Sequence, residues 1–130
     1  MIILTSFNDH DLEDYPDHKV YSISDKQPYD LNLSNVKYDR MNVFIPSSNL
    51  LGLTREVFSE RYLGELENKQ DDIKKVVRDL FFSSTDSGVF LCCWCNENFQ
   101  KEKSWFCHRV IIKKFMDKYF PYIDVEMRGA

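Results

Sequence analysis

Glycine and proline are scarce in this chain of 130 residues, four of each, which excludes collagen-like, low-complexity and linker-dominated architectures. No apolar stretch approaches the ~20 residues needed to span a bilayer. The opening MIILTSF turns acidic at once in NDHDLEDYPD, so it has neither the basic start nor the long apolar run of a secretory signal. Positive charge is in deficit: 17 Lys and Arg stand against 21 Asp and Glu, a net charge of -4. The chain as a whole therefore lacks the field that draws proteins to nucleic acid or anionic membrane, which argues against both as partners. There is no Gly-rich phosphate loop, no G-x-S-x-G elbow and no H-E-x-x-H, so the familiar phosphate-loop, serine-hydrolase and zinc-protease mechanisms have no foothold. Cysteine is limited to four residues, all between positions 90 and 109. The expectation is a cytoplasmic protein with reduced thiols, in which clustered cysteines mean chemistry, metal or packing before disulfides.

What is present is apolar and aromatic: 43% hydrophobic and 15% aromatic residues, enough to form one core over residues 1–130 without staples. IILTS and KVYSIS are short β-branched and aromatic runs bounded by Asp, Asn and Pro, and read as two strands. MNVFIP predicts a third extended piece stopped by Pro46. The period then changes. Thr54 is placed to cap a helix carrying Val57, Phe58, Tyr62 and Leu66, and Asp71 or Asp72 to cap a second carrying Ile73, Val76, Val77, Leu80 and Phe81.

GVFLCCW is a continuous apolar run, the pattern of a strand covered on both faces. Residues 104 to 119 carry Val110, Ile111, Ile112, Phe115 and Met116 on a helical period that must end before Pro121. YIDVEM closes the pattern as a last strand. The order strand, strand, helix, helix, strand, helix, strand predicts a single three-layer α/β domain, its mostly parallel sheet flanked by helices, with VFLCCW, helix and YIDVEM as one right-handed crossover.

In such sheets ligands bind beyond the carboxyl ends of the strands, where loops lead into helix N-termini. The stretch FLCCWCNENFQKEKSWFCHR is such a place. A helix N-terminus favours anions, and Arg109 adds a permanently charged fork suited to phosphate or carboxylate. The same field would lower the pKa of the Cys107 thiol, and His108 is suited to proton transfer near neutral pH. Zinc is a competing reading, with Cys92, Cys95, Cys107 and His108 as four ligands of suitable type. Strand alternation and helical divergence both work against that set, because they aim the ligands apart. The plainer alternative is buried packing for Cys92 and Cys93, with a capping histidine and a surface arginine. Arg109 follows Cys107 too closely to close a C-x5-R phosphatase loop.

An apolar strand ending in cysteine and an aromatic residue, followed by a loop and by FCHR at a helix start, resembles the bacterial and phage proteins grouped as domain of unknown function 488, the YeaO-like family. IILTSF, VYSISDKQP, IPSSNLL and REVFSERYLGEL are similar to its further segments in the same order. The resemblance spans most of the chain, with FCHR its most specific element. It implies an α/β domain whose site lies where the cysteine strand meets the Cys-His-Arg helix, with Cys93, Trp94, Cys107, His108 and Arg109 as matching residues. Two positions depart from the pattern: Cys95 stands where the family has glutamate, with Glu97 two residues on, and Asp25 beside Lys26 replaces an arginine.

Two functions follow. One is a binding domain or thiol-dependent enzyme for a small anionic, phosphorylated or nucleotide-like ligand. Arg109, Cys95 and Trp94 would contact that ligand, Cys107 or Cys93 would be the nucleophile, His108 the proton carrier and Glu97 a further acid/base group. It needs no metal or other cofactor. The alternative is a non-catalytic phage or bacterial factor whose aromatic, acidic surface binds a host protein, or a structural zinc domain.

Overall fold

The run VFLCC is buried at all five positions and forms the centre of a parallel sheet, as an apolar strand covered on both faces should. The computed structural model describes residues 1–7, 12, 19–24, 38–50, 53–83, 88–93 and 108–128. Its strands are β1 (Ile2–Ser6), β2 (Lys19–Ser22), β3 (Asp39–Arg40), β4 (Val89–Cys93) and β5 (Val125–Met127). Helices α1 (Arg55–Asn68), α2 (Gln70–Ser83) and α3 (Arg109–Tyr119) accompany them among the described residues. The sheet order is β3-β2-β4-β1-β5, and every pairing is parallel. The α/β reading is thereby established, as a five-stranded parallel sheet flanked by helices.

Strand alternation divides the core in two. Ile2, Leu4, Ile23, Val89, Leu91, Cys93 and Val125 face the three helices, which contribute Tyr62 and Leu66, Ile73, Val77 and Leu80, and Ile111, Ile112, Phe115 and Met116. Ile3, Val20, Phe90 and Cys92 point the other way and pack with Phe7, Leu12 and Tyr38. Leu12 lies in the connection from β1 to β2, and Tyr38 in that from β2 to β3. Leu12 and Tyr38 thus cover one face of the sheet, whereas the connections from β3 to β4 and from β4 to β5 carry helices on the other. Each fully buried Leu, Ile or Phe contributes roughly 1.5–3 kcal/mol by leaving water.

The helices begin largely as their sequences dictate. Thr54 caps α1, its hydroxyl accepting from the Val57 N–H at 3.5 Å, with Glu56 in the first turn. α2 differs from expectation: it starts at Gln70, directly after Lys69 closes α1, so Asp71 and Asp72 occupy its first turn instead of the cap. There they complement the positive end of the helix. α3 ends at Tyr119 ahead of Pro121, as a residue without an N–H requires. The expected earlier start of that helix, at residues 104–107, lies outside the described residues.

The expected strand at MNVFIP is corrected. The extended pair is Asp39–Arg40, and Asn42–Phe44 coils into a 3-10 turn. That turn drives Phe44 into the core at 0% exposure and leaves its carbonyl to accept the Tyr62 hydroxyl at 2.6 Å. Nearby, the N–H and hydroxyl of Ser47 both donate to the Glu65 carboxylate, at 3.1 and 2.8 Å, tying this segment to α1.

Candidate functional site at the carboxyl edge of the sheet

Because the strands are parallel, their carboxyl ends share one edge, and backbone bonds align them there. The Phe7 N–H donates to Cys93 O at 3.0 Å, Ile23 N–H to Cys92 O at 2.9 Å, and Arg128 N–H to Leu4 O at 2.9 Å. β1 and β4 are neighbours whose outgoing connections run toward opposite edges of the sheet, to β2 and to β5. In parallel α/β sheets ligands bind at such a reversal, and here it falls at the ends of β1 and β4, beside Phe7 and Cys93.

His108 and Arg109 arrive at this edge on the first turn of α3. The His108 carbonyl accepts from the N–H groups of Ile111 and Ile112, both at 3.1 Å, so His108 begins the helix. Its side chain makes no capping bond and reaches the residue just past β2 instead, where Nε2 lies 2.7 Å from the Ile23 carbonyl. The imidazole packs against the Tyr62 ring, centroids 5.7 Å apart at 76°.

Arg109 is not a surface arginine. It is 2% exposed, and its Nη1 donates to the Arg128 carbonyl at 2.7 Å, just past β5. A guanidinium out of water requires hydrogen bonds or negative charge around it. Arg128 turns its own side chain to the other face, where Nε meets Glu126 at 2.8 Å and the guanidinium lies 6.0 Å from the Phe90 ring centre.

The two adjacent cysteines of β4 divide between the faces. Cys93 belongs to the helix-covered core and Cys92 to the opposite cluster, both at 0% exposure. Cys92 shares one rung with Thr5 and Ser22, giving three buried small polar side chains across β1, β4 and β2. A thiol needs solvent access to react, so the burial of Cys93 fits packing better than attack on a ligand. The sheet also separates Cys92 from His108, which works against one zinc ion bound by both. Among the described residues no three His, Cys, Asp or Glu side chains gather to hold a metal ion. Trp94, Cys95, Glu97, Cys107, Asp25 and Lys26, each singled out in the sequence, lie outside the described residues.

Of the expected site residues, Cys93, His108 and Arg109 thus lie along one edge of the sheet, Cys93 at the end of β4, His108 bonded beyond β2 and Arg109 beyond β5. Tyr62 and the Ile23 carbonyl join them unannounced. The signal for Tyr62 was available, since a tyrosine on the apolar stripe of a helix must find a partner for its hydroxyl.

Compared with family models, curated proteins and solved structures, the chain matches none. No helix among the described residues is long and apolar enough to cross a membrane.

Proposed function

We propose that the carboxyl edge of the sheet is a binding site for a small phosphorylated or nucleotide-like anion, with Arg109 as its fixed positive charge and His108 as its proton carrier. The observation that carries this reading is the placement of Arg109. The residue is kept at 2% exposure on the first turn of a helix, at the carboxyl edge. Both the charge and the helix terminus favour an anion there. Cys107, next in the chain to His108, is the candidate nucleophile in this reading. Glu97 is the further acid/base group, and Trp94 and Cys95 are further candidate ligand contacts in this reading. Kinship with the domain of unknown function 488 proteins is part of the same proposal, resting on FCHR and the order of segments around it.

The test is a thermal-shift titration with phosphate, sulfate and nucleotides, on wild type and on Arg109→Lys. At ligand concentrations 100 times Kd, occupancy of one site stabilises the fold by about 2.7 kcal/mol, a readily measured rise in Tm. The expected result is such a rise in wild type and a reduced one in Arg109→Lys, which keeps charge but loses the bidentate fork. No response to any of these anions in folded wild type would remove the reading. It would leave the interaction-protein alternative, to be pursued through a stable partner.

A further inference from the structure

His108 is held from two sides, and the chemistry of its holders decides which nitrogen can work. Nε2 lies 2.7 Å from the Ile23 carbonyl, an oxygen that only accepts, so the proton in that bond sits on Nε2. Ile23 is itself anchored, its N–H donating to Cys92 O in the central strand at 2.9 Å. Against the ring stands Tyr62, 1% exposed, its hydroxyl donating to the Phe44 carbonyl at 2.6 Å.

We infer that these contacts fix His108 in the Nε2–H tautomer, so that Nδ1 is the nitrogen that takes up and releases a proton, and that Tyr62 is a positioning residue for it. A backbone carbonyl here fills the orienting place that a carboxylate fills in a hydrolase triad. When a weakly acidic group such as a thiol or an alcohol gives its proton to Nδ1, that group becomes the anion and the ring the cation. The Nε2–H bond to Ile23 is unchanged throughout, and returning the proton from Nδ1 restores both neutral groups. The inference deepens the proposed function and rests on it for the reacting group, whereas the tautomer is a property of the protein alone.

Long-range 1H–15N correlation spectra of the histidines, with His108 assigned by comparison with His108→Gln, test it on the folded full chain with no ligand. The expected signature for neutral His108 is a protonated Nε2, its hydrogen slow enough in exchange to be seen, and an unprotonated Nδ1. Tyr62→Leu, which removes the ring, should lose the slow Nε2 proton while the amide spectrum stays dispersed. Tyr62→Phe, which keeps the ring, should retain it. A proton found on Nδ1 in wild type overturns the inference, as does a Tyr62→Leu protein that is folded and spectrally unchanged at His108. Because wild type alone reports the tautomer, a variant that fails to fold leaves the test intact. Failure of anion binding at Arg109 would leave these spectra as they are, so the two readings fall separately.

Discussion

Arg109 Nη1 donates to the carbonyl of Arg128 at 2.7 Å, so the first turn of α3 is fastened to the residue that follows the last strand. This bond crosses between elements and is made by a charged donor that is 2% exposed. Arg109→Ala should therefore destabilise the protein by roughly 1.5–3 kcal/mol for the hydrogen bond, with a further loss from its packed stem. The midpoint of urea denaturation measures this, and a change within error would mean the bond is not maintained in solution.

Tyr62→Phe isolates a single oxygen. It removes the donor to Phe44 O and leaves that buried carbonyl short of a partner, at a cost of about 1–3 kcal/mol. The expected outcome is a lower denaturation midpoint with the folded spectrum kept, and the slow Nε2 proton of His108 retained.

Core position and surface position should separate cleanly. Phe115 is fully buried between the sheet and the helices, so Phe115→Ala should cost roughly 3–5 kcal/mol. Tyr122 is 70% exposed, and Tyr122→Ala should shift stability by no more than about 0.5 kcal/mol. Both values come from chemical denaturation of the purified variants, and equal effects would contradict the burial of Phe115.

Cys92 and Cys93 are both sealed at 0% exposure on opposite sides of the central strand. Under native conditions alkylation at these two positions should proceed only through opening of the sheet, and should accelerate greatly in denaturant. Peptide mapping after a timed iodoacetamide pulse assigns the label to each cysteine. Rapid native labelling at Cys93 would return it to the list of nucleophiles.

The readable parts of the sequence were those whose pattern the fold uses directly. VFLCC is apolar without interruption and sits in the middle of the sheet, and Ile73, Val77 and Leu80 sit where a helical stripe puts them. β3 has no such pattern: it is two exposed residues, Asp39 and Arg40, held by their ladder to Tyr21 and Ser22. MNVFIP looked extended because Val, Phe and Ile favour strands, yet the demand to bury Phe44 and to satisfy Tyr62 turned it into a 3-10 segment.

The candidate site was half visible. Arg109, Ile112 and Met116 follow one helical period and all three are buried, so the period already pointed Arg109 inward although its charge suggested the surface. The bond from His108 to Ile23 joins residues far apart in the chain, and nothing local to either encodes it.

The parallel sheet also sets the order in which this chain becomes a protein. β1 has only β4 and β5 as neighbours, with Ile2 opposite Val89 on one side and Val125 on the other. While a ribosome is still making the middle of the chain, the first strand has been synthesised and has nothing to pair with. Its two ladders must wait until Val89–Cys93 and Val125–Met127 have been made.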